Sequence, residues 1–345
     1  YSEAEFSEAT QFDYASLQKL EWLKTNADFP KDGDMQQFEG PLLADVLKAA
    51  GASGDMVTMT ALDGYAIEVK MQDLIDQGAD GICILANFSE QFLLTDAGRD
   101  VLTLLSLEHV AGRVPVIVTI SHCATQIAVE RARFAKSLGA EAVMMMPPYH
   151  GALLHADENS TLEHFERAGV AGGIPIMVQD APISGVTLSV PFLVRMAREI
   201  EQVKLFKIET PHAAGKIRAL IEAGGDAIEG PFDGEEAITL IADMDAGATG
   251  SMTSATLPDL IKPAVEAHLA GDRATAIEIY GRLLPLINFE NRQCGWRSCK
   301  AVMVEGKVIR SEHVRHPTKP MHPDTRVQLL ELARAANPLA LSWGH

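Results

Sequence analysis

What most constrains the fold of this chain is a repeat, running through its second part, of short β-rich runs and longer helical segments. The strand-like runs are Gly81–Ala86, Val114–Ile120, Ala142–Met146, Ile174–Gln179, Lys204–Ile208 and Ala227–Glu229, with a weaker run at Thr249–Thr253. Helical spacing occupies Asp96–Val110, Ala124–Leu138, Thr161–Ala168, Val190–Ile200, Ala213–Ala223 and Glu235–Ala246. Glycine pairs such as Gly139–Ala140 and Gly224–Gly225 mark the joints, where glycine takes the left-handed backbone that ends a helix. Such repetition predicts a parallel sheet covered by helices. Seven units point to a closed α/β barrel rather than an open sheet. No GxGxxG follows a strand, as a dinucleotide-binding open sheet would require. From about Ile261 the tail is helical again, passes through a Pro/His-rich stretch at Arg315–Pro323, and ends in a helix at Pro323–Ala336.

Charge narrows the partners. The net charge of −18 and the lack of any Lys/Arg block argue against nucleic acid, whose phosphates need a basic stripe. They equally disfavour an anionic membrane surface, and no apolar run approaches the ~18–20 residues of a membrane span. A small anionic substrate remains compatible, because a few N–H groups and one or two cations suffice to hold it. The four cysteines, Cys83, Cys123, Cys294 and Cys299, lack paired metal-site spacing and read as reduced thiols. With no signal-peptide pattern at the acidic start, the expectation is a cytoplasmic protein without a metal site.

The chemistry centres on Leu205–Phe206–Lys207–Ile208–Glu209. Alternate residues of a barrel strand face inward, so an inward Lys207 shares its side with Leu205 and Glu209. A free lysine with a pKa near ~10.4 is neutral at pH 7 in only about one copy in 2,500. Burial lowers that pKa by up to several units, and a neutral amine can attack a ketone to form an imine. The opposite reading is a surface lysine at a strand end, as Lys204 is expected to be. The loop Asn87–Ser89 follows a strand and opens a helix, so its backbone N–H groups could hold a carboxylate; Ser89 could equally be a plain helix cap. Asp233 and Glu235 could contact a substrate hydroxyl or cap the next helix. His122, His150 and His155 lie near loops that follow strands and read as structural.

Lys207–Ile208–Glu209 after an apolar strand resembles the Schiff-base lysine of the dihydrodipicolinate synthase/N-acetylneuraminate lyase superfamily. The likeness runs in order through Gly78–Gly81, Ala86–Glu90, Met146–Gly151, Pro175–Pro182 and Gly247–Gly250, about 270 residues in all. Within the superfamily the segments Ala86–Phe92, Pro147–Ala152, Gln179–Pro182, Phe206–Thr210 and Glu229–Ile238 are most similar to the 2-keto-3-deoxy-L-arabonate dehydratases.

The resemblance implies a (β/α)8 TIM barrel with C-terminal helices and a hydro-lyase that dehydrates a 2-keto-3-deoxy sugar acid through a lysine Schiff base. It implies Lys207 as nucleophile and Tyr149 as acid/base. Asn87, Phe88, Ser89, Glu90, Gln179, Glu209 and Asp233 would contact the small 2-keto acid. No cofactor or metal is implied, since the lysine supplies the electrophile, and a homo-oligomer (dimer or tetramer) is expected. Two departures stand out. Only Glu90 remains of the superfamily's Gly–Thr–Thr–Gly–Glu loop, and Gln179 replaces the tyrosine that relays protons in its aldolases and synthases. Gln cannot do acid–base work at neutral pH, which weighs against an aldolase acting on pyruvate-type substrates. A non-catalytic binding protein is the remaining alternative.

Residues 1–75 read differently from 76–345. Pro41–Ala50 has helical character, and Met56–Thr60 and Tyr65–Lys70 alternate around Asp63–Gly64 as a hairpin would. The stretch from Phe38 to Leu74 resembles a fragment of a molybdopterin-binding oxidoreductase-type domain, without a cysteine to ligate molybdenum. An unrelated α+β segment is therefore expected in place of the first barrel unit.

Overall fold

The computed structural model describes Lys19, the backbone of 22–28, 35–41, 59–60 and 66–67, Ile75, and residues 78–149 and 156–342. The chain divides into two compact units, Tyr1–Glu68 and Val69–His345.

In the first unit, β1 (Trp22–Asp28) pairs antiparallel with β2 (Met35–Pro41). This pairing went unrecognised in the sequence pattern. A shorter antiparallel pair joins β3 (Met59–Thr60) to β4 (Ala66–Ile67), within the span of the expected hairpin. Of the helical segment expected at Pro41–Ala50, Pro41 closes β2 and the rest lies outside the described residues.

The second unit is built on six parallel strands in the order β5 (Ile82–Ile84), β6 (Val116–Thr119), β7 (Ala142–Met145), β8 (Ile176–Asp180), β9 (Val203–Ile208) and β10 (Pro231–Asp233). A seventh segment adds at the edge, where Ser251 bridges Asp233 in parallel. There Asp233 N–H donates to Gly250 O and Met252 N–H to Asp233 O. Five of the six expected strands fall within a few residues of their predicted places. The sixth is displaced: Gly225–Ala227 is a 3-10 turn and the strand begins at Pro231. A Gly–Pro pair reads as a turn, yet proline fits the first position of a strand, where its missing N–H is not needed.

Helices α1 (Asp96–Val110), α2 (Thr125–Ser137), α3 (Glu158–Gly172), α4 (Val190–Glu199) and α5 (Ala213–Gly224) follow successive strands. Side-chain caps start three of them, with Thr95, Asp157 and Ser189 accepting from Gly98, Ser160 and Phe192 N–H. α6 is shorter than the expected Glu235–Ala246. It spans Leu240–Asp245, because Glu236 and Ala237 take left-handed backbone (φ 50° and 68°) and keep the turn after β10 open. The tail supplies α7 (Pro258–Leu269), α8 (Arg273–Phe289), a π-turn at Glu290–Cys294, α9 (Arg297–Glu305) and α10 (Pro323–Ala336).

Register separates the two faces of the sheet. Thr119 pairs with Met144, Met144 with Met177, Met177 with Leu205, Gln179 with Lys207 and Lys207 with Phe232. Side chains at paired positions share a face, so these residues line the inner face. The opposite face carries Val118, Val143, Met145, Val178, Phe206 and Ile208, which join the helices in one apolar core. An apolar core on one side leaves the other free to hold polar groups.

Candidate active site

Lys207 lies on the inner face at 5% exposure, with Nζ 2.5 Å from Glu209 Oε1. Gln179, fully buried on the neighbouring strand, donates from Nε2 to the same oxygen at 2.7 Å. Three of the expected residues thus form one hydrogen-bonded cluster, with the inward alternation of Leu205, Lys207 and Glu209 as its cause.

The charge of the amine differs from expectation. Burial alone would push the Lys207 amine down, but the Glu209 carboxylate outweighs it and holds the amine above its ordinary value. The resting group is an ammonium paired with Glu209, not a free base. Each unit by which the amine lies above the ambient pH costs about 1.4 kcal/mol to deprotonate. The 2.5 Å contact to Glu209 supplies the acceptor for that proton.

Glu236 was overlooked in the sequence. Its carboxyl is pushed up to about 8, by burial first; Lys207 pulls the other way, and Glu209, Glu290 and Asp233 add to the rise. At neutral pH it is a protonated acid beside an ammonium–carboxylate pair. The segment Asp233–Gly234–Glu235–Glu236 offers three acids, and only the left-handed turn decides which one faces Lys207. Gly234 allows this close fold. A Cβ there would stand 2.7 Å from Glu209 Cγ and 2.8 Å from Lys207 Cγ.

Two expected substrate contacts are engaged elsewhere. Asp233 pairs in register with Ile208, so its side chain faces the helices. It is fully buried there and accepts from Ser251 Oγ at 2.5 Å. Burial and the Asp243 carboxyl raise its pKa. Glu90, 4% exposed, receives Lys300 Nζ at 2.6 Å, Arg315 Nη1 at 3.0 Å and the Arg315 N–H at 2.9 Å. Its carboxylate belongs to the tail rather than to a ligand. Glu235 is paired with Arg292 at 2.7 Å.

The loop after β5 is not a helix start. Asn87–Ser89 forms a 3-10 turn, and the helix begins at Asp96 with Thr95 as its cap, so Ser89 does not cap it. Ser89 N–H donates to Ala86 O and Glu90 N–H to Asn87 O. Among the described residues, the N–H groups of Asn87 and Phe88 take no backbone acceptor, as the first donors of a helical turn do not. The Asn87 side chain accepts from Gln91 Nε2 at 2.6 Å.

Tyr149 stands in a different group. Its ring meets Phe92 edge-on at 5.5 Å. Its phenol is raised by burial and Cys123, while Arg131 and Arg99 pull it down. Among the described hydrogen bonds, none joins Tyr149 to Lys207, Glu209 or Glu236. His122 accepts from Ala124 N–H at 2.9 Å and holds a turn; His150 and His155 lie outside the described residues. Cys83 reaches the inner face, 3.7 Å from Thr119 Oγ1, and burial raises its thiol. Such a thiol is a poor nucleophile.

A model of the dihydrodipicolinate synthetase family matches residues 50–336. The chain is 60% identical over 272 residues to the L-2-keto-3-deoxyarabonate dehydratase of Azospirillum brasilense, covering 79% of this chain and 88% of that one. It is 28% identical over 273 residues to the 4-hydroxy-tetrahydrodipicolinate synthase 2 of Streptomyces coelicolor, covering 78% and 88%. Among solved structures, the dihydrodipicolinate synthase of Aquifex aeolicus superposes with a TM-score of 0.72 at 22% identity, over 81% of this chain and 96% of the other. The last likeness is one of fold. The family match begins at residue 50, so it takes in 50–75 of the segment read as unrelated, and it lends no support to the molybdopterin likeness there.

Proposed function

The chain belongs to the dihydrodipicolinate synthetase family, and from that premise we propose that it is a Schiff-base hydro-lyase converting 2-keto-3-deoxy-L-arabonate to 2-oxoglutarate semialdehyde. The observation that carries this reading is the inner-face cluster: an amine, a carboxylate within proton-transfer distance of it, and a protonated acid beside them.

Glu209 accepts the proton of Lys207 along their existing hydrogen bond, and the freed amine attacks the C2 ketone. The proton returns to the departing carbinolamine hydroxyl, which leaves as water, and an imine forms. The imine acts as an electron sink. Glu209, a carboxylate again, is placed to take the C3 proton and leave an enamine. The enamine expels the C4 hydroxyl, which takes its proton from Glu236 and departs as water. Loss of a C5 proton and protonation at C3 give a C4=C5 enol, which takes a proton at C4 and releases its hydroxyl proton to leave the aldehyde at C5, and hydrolysis of the imine frees Lys207. One water is lost overall. Gln179 holds Glu209 in place and, lacking a titratable proton, does not relay one. The amides of Asn87 and Phe88 receive the substrate carboxylate, and Tyr149 closes the mouth near Phe92. Ser89 flanks that loop.

The same reading takes the fold as a (β/α)8 TIM barrel with C-terminal helices, the assembly as a homo-oligomer, and the location as the cytoplasm. Among the described residues no helix is long and apolar enough to cross a membrane.

The test is borohydride reduction with 2-keto-3-deoxy-L-arabonate, read by peptide mass and product analysis. A substrate-derived adduct on Lys207 and semialdehyde among the products are expected. Pyruvate with a two-carbon aldehyde would reassign the enzyme as an aldolase. Absence of the adduct, with Lys207→Ala turning over normally, would remove the imine altogether.

A further inference from the structure

The loop between β5 and α1 is held in a way that the chemistry at Lys207 does not require. Leu85 (φ 58°) and Glu90 (φ 54°) both adopt left-handed backbone, one on each side of Ala86–Ser89. Side chains rarely take that conformation, and it persists where the surroundings over-determine it. Here the surroundings come from the far end of the chain.

The buried Glu90 carboxylate receives three charge-assisted donors, the Lys300 ammonium, the Arg315 guanidinium and the Arg315 N–H. Lys300 also donates to His313 O at 2.7 Å. Glu90, α9 and the tail around 313–315 are thereby tied into one knot. From the other side, Arg99 donates to Gln91 O at 3.2 Å and to Thr119 O at 2.5 Å, while Gln91 holds Asn87. Between these two anchors lie Asn87 and Phe88, whose amides take no backbone acceptor among the described residues.

We propose that the C-terminal tail acts through Glu90 as a clamp that fixes the Asn87 and Phe88 amides for the carboxylate of a 2-keto acid. Glu90, Lys300 and Arg315 are positioning residues: they set affinity for the keto acid without touching it. The proposal deepens the proposed function and rests on it for the role of the loop. Three strands separate β5 from the lysine strand β9 in the sheet, so loosening the clamp acts on binding before it acts on imine chemistry.

The experiment uses the full chain with Glu90→Gln and Arg315→Met, singly and together, and Lys300→Arg as the conservative variant. Hydrogen exchange across 85–93 is measured alongside KM, kcat and borohydride trapping with pyruvate as the probe. In either single variant, loop exchange and KM should each rise roughly tenfold, with kcat and maximal trapping changing less than about threefold. The double variant should be no worse than Glu90→Gln alone, because both break one clamp. Lys300→Arg should keep the parent KM. Unchanged loop exchange, a fall in kcat at constant KM, or additive single effects would each overturn the clamp. Should Glu90→Gln fail to fold, Arg315→Met decides by the same readings. If the parent chain forms no adduct on Lys207, the proposed function fails instead, and loop exchange still judges the clamp.

Discussion

The two faces of the same strands both take ionisable groups out of water and use them in opposite ways. On the inner face Lys207 and Glu209 share a proton path, and Glu236 carries a second proton beside them. On the helix face, one residue along from Gln179, Asp180 meets the Lys216 ammonium at 2.5 Å. One residue along from Phe232, Asp233 meets the Ser251 hydroxyl and the Asp243 carboxyl. The outer groups are held by partners from the surrounding elements, Lys216 on α5 and Ser251 on the edge segment. The inner groups are held chiefly by one another. Burial is common to both; the available partner separates structure from chemistry.

Three substitutions test that division. The largest effect is expected from Glu236→Gln. A group raised to about 8 is a proton donor below that pH and loses the role above it. The parent kcat should therefore fall on the alkaline side near pH 8. Glu236→Gln should lower kcat by about 10²–10⁴ and abolish that limb, with Lys207 trapping retained. A variant with the parent pH profile would return Glu236 to a structural role.

Next is Lys216→Met, which leaves Asp180 buried without its cation. Unfolding in urea should show a loss of about 3 kcal/mol, while kcat per folded molecule stays within roughly twofold, since ordinary surroundings of the site are untouched. A large kcat loss in folded protein would show that the two faces are not independent.

The smallest effect belongs to Asp243→Asn. Asp233 and Asp243 are both raised above their ordinary value, by burial first. Between the unfolded value near 3.8 and the raised folded value, the folded state holds more protons than the unfolded chain. Stability then falls as pH rises through that window. Asp243→Asn relieves the repulsion, so Tm should decline less from pH 5 to pH 8 than in the parent, by a few degrees (roughly 2–4 °C per kcal/mol). An identical Tm slope in parent and variant would mean that the two carboxyls do not interact.

Much of this architecture was legible along the chain. The strand–helix repeat follows from spacing, and alternation puts Glu209 on the side of Lys207; the inward lysine and the place of Gln179 come from the family resemblance. Other features were not. Asp233 and Glu236 lie three residues apart, and their roles depend on a left-handed turn that no side-chain pattern signals. Glu90 resembles a ligand-loop acid in sequence, but its partners Lys300 and Arg315 stand more than two hundred residues away. Desolvation alone foretold a neutral Lys207. The amine is instead an ammonium, because the Glu209 carboxylate meets it on the inner face.

By itself the sequence determined the parallel α/β unit and the two-residue alternation of faces along its strands, because period-two alternation and glycine joints are local properties of the backbone. Tertiary structure alone decided which acids hold a proton, which amine carries charge and which end of the chain secures the loop after β5. Those outcomes depend on electrostatic energies between groups that folding brings within a few ångströms, and such distances are not written in neighbouring residues.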